Sequence, residues 1–150
     1  MKPICLVIGA GAGIGGHVGK RFAQAGYHIV LCRRTNADGL KKIVEEIESD
    51  GGSASGFLLN AVEADSLEDR VASIEADIGP IEVAVFNLGA QIGNRSLEET
   101  TYKQFEIGWR LATFALFRFA SAVCPVMAVS YTHLRAHETR LDLVCRLLDE

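Results

Sequence analysis

The chain has 150 residues, of which 49% are hydrophobic, so it can bury the core of one globular domain and is too apolar for a disordered polymer. Its formal net charge of −4 offers no basic surface to a phosphate backbone, which makes nucleic acid a poor candidate partner. From the sequence alone, no stretch approaches the roughly 20 apolar residues of a membrane span, and we expect no membrane partner. The apolar start breaks too early for a secretion signal, and the cysteines show no metal spacing. We therefore expect a reduced, cytoplasmic protein.

Apolar runs and helical patterns alternate along the first half of the chain. Residues 4–8 form a continuous apolar run that predicts a first strand, and a helical pattern follows through Val18 and Phe22 to Gly26. Residues 28–32 predict a second strand, and apolar residues at helical spacing between 40 and 47 predict a second helix. Residues 55–59 predict a weaker third strand.

The second half continues this alternation. Leu67, Val71 and Ile74 predict a third helix, and residues 81–86 predict a fourth strand that is apolar enough to be buried on both faces. Residues 101 to about 127 predict one long helix. Strands and helices in this order indicate an α/β fold with a doubly wound parallel sheet, right-handed crossovers and strand order 3-2-1-4. No repeat or low-complexity linker suggests a second folded domain.

Residues 9–16 (GAGAGIGG) lie where the first strand must turn into the first helix. Backbone amides at the start of such a helix can bind a pyrophosphate. Two registers fit, because Gly9, Gly13 and Gly15 match G-x-x-x-G-x-G while Gly11, Gly13 and Gly16 match G-x-G-x-x-G. The residues that we expect to contact a dinucleotide here are Gly9, Gly11, Ala12, Gly13, Ile14 and Gly15. The alternative is a tight turn without a ligand.

Two further segments end strands at the same predicted edge of the sheet. Arg33 and Arg34 follow the second strand, where NAD-preferring enzymes usually carry an acid for the ribose hydroxyls. Paired guanidinium groups suit a 2′-phosphate, so they favour NADP over NAD, unless they belong to a solvated loop. They also argue against a flavin or nucleotide-sugar site. Asn87 and Gly89 end the fourth strand within residues 86–90 (FNLGA), either at the cofactor or at an ordinary glycine turn.

Together these segments resemble the short-chain dehydrogenase/reductase family over residues 4 to about 127. FNLGA is similar to the N-N-A-G signature of the family with its first Asn and its Ala replaced. The resemblance implies an NAD(P)-dependent oxidoreductase that transfers hydride between nicotinamide and a carbonyl or alcohol carbon of a small molecule, in a homo-oligomeric parent protein. It also implies that Asn60 and Ala61 occupy the place of an Asp-hydrophobe pair that contacts adenine. An Asn carbonyl can accept from the adenine amine, although a loop Asn without a ligand is the alternative.

The sequence departs from the family at the residues of catalysis. Ala112 stands where the family usually has an Asn that assists a proton relay, and the chain contains no Tyr-x-x-x-Lys. Tyr131 and Arg135 have the spacing of that pair, but the pKa of Arg is too high for it to replace Lys. We therefore predict no catalytic residue and an inactive fragment that keeps the cofactor-binding half. The alternative is a non-catalytic NADP-binding sensor or scaffold.

The last segment of the chain is predicted to be foreign to the fold. Residues 129–139 (VSYTHLRAHET) and 142–148 (DLVCRLL) resemble the translation of a transposon-end sequencing adapter. We therefore expect residues 1–128 to form a truncated NAD(P)-binding domain and residues 129–150 to be an adapter-derived tail. The alternative is a natural amphipathic terminal helix. On the adapter interpretation, His133, His137 and Glu138 are not a metal site despite their H-x-x-x-H spacing.

The expected truncation also has a consequence for packing. Without a fifth strand, the fourth strand would expose its outer edge. The long helix would likewise lose neighbours, so that its aromatic side chains cannot all be buried. These side chains are Phe105, Trp109, Phe114, Phe117 and Phe119.

Overall fold

A computed structural model of the chain describes residues 2–89 and 96–127. Strands and helices alternate along residues 2–89, and one long helix occupies most of residues 96–127. The elements are β1 Ile4–Ile8, α1 Ile14–Gln24, β2 His28–Arg33, α2 Ala37–Ser49, β3 Ser53–Leu58, α3 Ser66–Asp77, β4 Ile81–Phe86, α4 Tyr102–Trp109, a π-helical turn Arg110–Phe114, and α5 Ala115–Met127.

The four strands form one parallel sheet in the order β3-β2-β1-β4. This is the order that the sequence predicts for a doubly wound fold. Because the strands are parallel, their carboxyl ends meet at one edge, where the loops after β1, β2, β3 and β4 come together.

Both faces of the sheet are covered, and β1 shows this most clearly. Ile4, Leu6 and Ile8 pack on the side of α3 and α5, while Cys5 and Val7 pack on the side of α2. All five side chains are buried because successive residues of a strand point to opposite faces. The continuous apolar run of β1 therefore reflects a strand between two helical layers.

Two strands differ from the sequence prediction. β3 begins at Ser53 rather than residue 55, because it pairs with β2 from His28 onward and the His28 ring lies within hydrogen-bond distance of Ser53 and Ser55. The expectation that β4 is buried on both faces holds only in part, because Ala84 and Phe86 pack against one core cluster and Val83 and Val85 against the other, yet these four side chains are only partly buried. Only Ile81 is buried in this strand, since within the described residues β4 pairs on one side only, with β1.

The long helix begins at Tyr102, close to the predicted start, and continues to Met127, the last described residue, but it is not uniform. Thr101 caps it in a reciprocal pair of hydrogen bonds with Gln104, and the π-helical turn separates α4 from α5. By length and composition, Tyr102–Met127 could cross a membrane, so the expectation that no stretch approaches such a span is wrong in that respect. Only 22% of the apolar window in this helix is buried, and the buried residues include Phe119 and Val123, which pack against the core that β1 shares.

The aromatic side chains of the long helix divide as expected. Phe119 is 3% exposed and its ring lies 5.6 Å from that of Phe86. The prediction that not all five can be buried is confirmed. The exposed ones are Phe105 (65%), Trp109 (47%), Phe114 (38%) and Phe117 (66%).

Candidate functional site

A crevice of about 330 Å³ opens at the carboxyl edge of the sheet. Its walls come from the ends of all four strands and from the π-helical turn, through Leu111. Sequence-predicted residues that line it are Gly9, Gly11, Arg33, Arg34, Asn60, Ala61, Asn87 and Gly89. The other predicted residues, Ala12, Gly13, Ile14 and Gly15, are outside the lining and lie next to it at the start of α1.

Sequence reasoning missed six residues that also line the crevice. Leu111 is the only one distant in sequence from a predicted residue, and no motif marks the π-helical turn that carries it. The other five adjoin predicted residues, so extending each motif by one position would have found them. They are Ile8, Cys32, Thr35, Leu59 and Leu88.

The glycines of the loop serve two different purposes. Gly9 has a φ of +92°, and a Cβ there would lie 2.5 Å from the Asn87 carbonyl oxygen. A Cβ on Gly15 would lie 2.4 Å from the Gly9 oxygen, and one on Gly16 would lie 2.5 Å from the Gly11 oxygen. These three glycines permit close backbone packing, whereas Gly11 and Gly13 face open space within 4 Å. The two sequence registers therefore describe one loop. Some of its glycines allow close contact with neighbouring backbone, and others leave open space beside the loop.

Neighbouring strands hold this loop in place. The amides of Gly9 and Ala10 donate to the Cys32 carbonyl at 2.8 and 2.9 Å. Asn87 donates its backbone amide to the Ile8 oxygen at 2.8 Å and its side-chain amide to the Gly9 oxygen at 3.1 Å. Asn87 thus has an observed structural contact at the end of β4.

The start of α1 is free of competing groups. Gly13 is the N-cap without a side-chain bond, and no acidic residue stands in the first turn. Within the described residues, the amides of Ala12, Gly13 and Ile14 make no hydrogen bond. Asn36 and Thr101 cap α2 and α4, whereas α3 also lacks a side-chain cap but carries Glu68 and Asp69 in its first turn. An uncapped helix start has unpaired donors and a positive dipole end, which suits an anion.

Positive charge stands at the crevice beyond β2. Arg33 is half-buried and Arg34 is exposed. Both line the crevice together with Thr35, whose side chain carries a hydroxyl group. Across residues 2–89 and 96–127, neither guanidinium group forms an ion pair or a side-chain hydrogen bond. Both therefore keep their donors for a ligand.

The loop after β3 forms another wall. Asn60 donates from Nδ2 to Glu63 Oε1 at 3.0 Å, and its Oδ1 accepts only a long contact of 3.5 Å from the Val62 amide. The Ser66 hydroxyl donates to the Asn60 backbone oxygen at 2.7 Å. The amide oxygen of Asn60 therefore retains capacity to accept a hydrogen bond.

The crevice contains binding groups but no group suited to transfer a proton near neutral pH. Its described lining includes no Asp, Glu, His, Lys or Tyr. Burial raises the pKa of the Cys32 thiol to about 12, against the opposing charge of Arg70, so the thiol is unreactive. Ala112, where an Asn was expected from the resemblance, lies within the π-helical turn.

No group of three or more potential metal ligands occurs among residues 2–89 and 96–127. His133, His137 and Glu138, together with the remainder of residues 129–150, lie outside the described residues, as does Ala90 of the FNLGA segment.

Comparison with known proteins gives consistent matches. The family model for short chain dehydrogenase matches residues 3–133. Gluconate 5-dehydrogenase of Gluconobacter oxydans is 37% identical over 122 residues, which are 81% of this chain and 47% of that protein. Fatty acyl-CoA reductase of Acinetobacter baylyi is 29% identical, over 83% of this chain and 42% of that protein. The chain thus spans about half the length of these curated relatives.

Solved structures show the same fold. A short-chain dehydrogenase from Rhodopseudomonas palustris superposes with a TM-score of 0.78 at 33% identity, covering 85% of this chain and 58% of that one. L-sorbose reductase from Gluconobacter frateurii, solved with NADPH and L-sorbose, gives a TM-score of 0.76 at 23% identity, covering 85% of this chain and 48% of that one. At that identity, the second likeness concerns the fold alone.

Proposed function

Because the chain belongs to the short-chain dehydrogenase/reductase family, we propose that it is the cofactor-binding part of an NAD(P)-dependent oxidoreductase. One observation carries the proposal: the uncapped start of α1 adjoins a crevice whose rim holds two arginines without partners. A dinucleotide has a pyrophosphate for the first feature, and a 2′-phosphate on its adenosine ribose suits the second. When bound, its nicotinamide exchanges hydride with a carbonyl or alcohol carbon.

The described residues fit such a cofactor. We assign the pyrophosphate to the amides of Ala12, Gly13 and Ile14, with Gly11 and Gly13 leaving room for its approach. We assign adenine to Asn60 and Ala61. The remaining sequence-predicted residues shape the edge of the sheet: Gly9 lines the crevice, Gly15 packs closely against Gly9, and Asn87 and Gly89 follow β4.

We further propose that the cofactor is NADP rather than NAD. Arg33 and Arg34 supply two positive charges at the end of β2, and no acid among the lining residues would accept from a 2′-hydroxyl. A 2′-phosphate would gain charge-assisted hydrogen bonds there, whereas a ribose hydroxyl gains little from a guanidinium group.

Titration calorimetry with NADP and NAD tests both proposals. The double substitution Arg33→Ala/Arg34→Ala should weaken NADP about tenfold more than NAD, since a hydrogen bond to a charged group contributes about 1.5 kcal/mol or more. The control Arg21→Ala/Lys41→Ala removes the same charge from α1 and α2, away from the crevice, and should change neither affinity. Equal losses for the two cofactors in the Arg33/Arg34 variant would refute the NADP assignment.

The chain itself is proposed to be inactive, since its described crevice holds no proton-transfer group. Measurable oxidoreductase turnover by the purified chain would contradict this proposal. A loss of that turnover in the Tyr131→Phe variant would contradict it as well. The same observation supports the alternative of a non-catalytic NADP-binding sensor or scaffold. The gene sequence beyond codon 128 separates the two, because a Ser and a Tyr-x-x-x-Lys there favour the enzyme.

Three broader proposals concern the parent protein and the tail. A cytoplasmic location is supported by Cys5 and Cys32, which are buried free thiols. The parent protein is proposed to act on a small molecule and to form a homo-oligomer. The exposed aromatic face of the long helix supports the second of these proposals, because another subunit could cover it. Residues 129–150 are proposed to be adapter-derived, although the family match continues to residue 133.

A further inference from the structure

Arg118 of α5 makes more side-chain contacts to distant segments than its position on a helix surface suggests. Its Nε donates to Glu68 Oε1 at 2.9 Å and its Nη2 donates to Glu68 Oε2 at 2.5 Å. Its Nη1 donates to the backbone oxygens of Glu63 at 2.7 Å and Ala61 at 3.4 Å. A single guanidinium group thus joins α5 to the first turn of α3 and to the loop between β3 and α3.

That loop is a wall of the cofactor crevice. Asn60 and Ala61 line the crevice, and the Ala61 oxygen is one of the two carbonyls that Arg118 binds. The Asn60 side chain is held by Glu63, whose own backbone oxygen is the second carbonyl. Ala61 is therefore linked to Arg118 directly and Asn60 through Glu63, while the Ser66 hydroxyl holds the Asn60 backbone oxygen separately.

The surroundings favour a fixed geometry for this contact. The Arg118 side chain is 12% exposed, while that of Glu68 is 40% exposed. Hydrogen bonding between the two raises the pKa of Arg118 and lowers the pKa of Glu68, so both stay charged near neutral pH. The planar fork of Arg matches the carboxylate with two parallel bonds and leaves Nη1 directed to the carbonyls.

We propose that Arg118 is a positioning residue for the adenine half of the bound dinucleotide. It fixes the loop of Asn60 and Ala61 from a helix that is far away in sequence, and Arg118 is not itself one of the residues that line the crevice. The inference rests on the proposed function, since it assigns adenine to this loop. It adds that the packing of α5 on α3 sets the shape of the adenine site.

The test is an NMR titration of the 150-residue chain with NADP, in the wild type and in Arg118→Gln, Arg118→Lys and Glu68→Gln. Arg118→Gln should weaken NADP about tenfold. It should also abolish the NADP-induced shifts of the Asn60 and Ala61 amides while those of Gly11 and Gly13 remain. Arg118→Lys and Glu68→Gln should give intermediate affinities, because each keeps part of the contact. Arg110→Gln is the matched control on the same long helix, since the one side-chain partner of Arg110 among residues 2–89 and 96–127 is the exposed Glu106 at 4.0 Å.

The outcomes are distinguishable. If the wild type shows no NADP-induced shifts, the proposed function fails and this inference fails with it. If the wild type binds and a folded Arg118→Gln variant keeps both its affinity and its Asn60 and Ala61 shifts, only this inference is overturned. Should Arg118→Gln not fold, unchanged shifts at Asn60 and Ala61 in Arg118→Lys and Glu68→Gln would overturn it equally.

Discussion

At Gly15, one added methyl group would collide with the backbone of the preceding turn. The nearest atom to a Cβ there is the Gly9 oxygen at 2.4 Å, and a backbone atom cannot move aside as a flexible side chain can. We expect Gly15→Ala to destabilise the fold by about 1–3 kcal/mol, the usual cost of overpacking. Urea unfolding followed by circular dichroism measures this loss.

Gly11→Ala is the matched control for Gly15→Ala. A Cβ at Gly11 meets nothing within 4 Å, so the free energy of unfolding should not fall, whereas NADP should bind more weakly because Gly11 lines the crevice. Equal stability of the two variants would contradict the division into packing and open glycines.

His28 makes stability depend on pH. Its ring nitrogens lie 2.7 Å from Ser53 Oγ and 3.1 Å from Ser55 Oγ, at the opposite edge of the sheet from the crevice. Burial lowers the pKa of His28 below its ordinary value of 6.5, with a further lowering from Lys2 and an opposing effect of Glu48. The unfolded chain therefore binds a proton more readily than the folded chain.

The stabilising effect of neutral His28 is fully present above pH 6.5 and is lost as the pH falls through its lower folded-state pKa. Unfolding free energies measured between about pH 5 and pH 8 should decrease toward the acid end, and His28→Gln should reduce that slope. A slope that is the same in both proteins would show that His28 does not cause it.

Among the elements, the long helix has one buried face and one exposed aromatic face. Phe105 and Phe117 are 65% and 66% exposed, whereas Phe119 is 3% exposed. Phe105→Glu/Phe117→Glu should change the free energy of unfolding by about 0.5 kcal/mol or less per site and should raise solubility. Phe119→Ala should cost about 3–5 kcal/mol, because it leaves a cavity beside Phe86.

Sedimentation velocity and denaturant unfolding of the two Phe variants check this prediction. If the double Glu variant unfolds while remaining monomeric, the exposed face is covered within the chain and the assignment of faces is wrong.

The sequence predicts most elements of this fold because each has a simple periodicity. Residues 4–8 and 81–86 are uninterrupted apolar runs, and α2 and α3 carry apolar residues at helical spacing. The start of β3 was misplaced because Ser53 is polar, and its pairing opposite His28 depends on a neighbouring strand. Both faces of β4 pack on core clusters, as its composition predicts, but the extent of burial also depends on neighbouring strands, which the composition of β4 does not report.

The parts of the candidate site that lie in turns after strands can be predicted from local sequence. The parts that depend on contacts between distant segments cannot. The glycine loop, Arg33 and Arg34 are local signals at strand ends, and the structure brings them to one crevice. The contacts of Arg118 span 50 to 57 residues of sequence, and an Arg on a helix is normally a solvated residue. No local sequence pattern distinguishes Arg118 from a solvated arginine on a helix surface.

For the whole molecule, the edge of β4 that pairs with no described strand and the exposed aromatic face of the long helix predict marginal stability. Each large apolar side chain left exposed forfeits about 1.5–3 kcal/mol, compared with about 5–15 kcal/mol for a typical domain. We expect the chain to aggregate readily. Deletion of residues 129–150 should leave its unfolding free energy unchanged, because an adapter-derived segment was not selected to pack on it.

Expression of the chain with and without residues 129–150 provides the comparison. A soluble, cooperatively unfolding full chain that loses this state on deletion would show that the tail is a native element and that the adapter interpretation is wrong.

The central claim is that the start of α1 and the arginines after β2 together bind one dinucleotide. Amide hydrogen exchange with and without NADP tests it most directly, because the amides of Ala12, Gly13 and Ile14 make no hydrogen bond within the described residues. At an NADP concentration well above its dissociation constant, these three amides should exchange markedly more slowly, and in Arg33→Ala/Arg34→Ala the same NADP concentration should protect them less. Unchanged exchange at Ala12, Gly13 and Ile14 in the wild type with NADP bound would contradict the account.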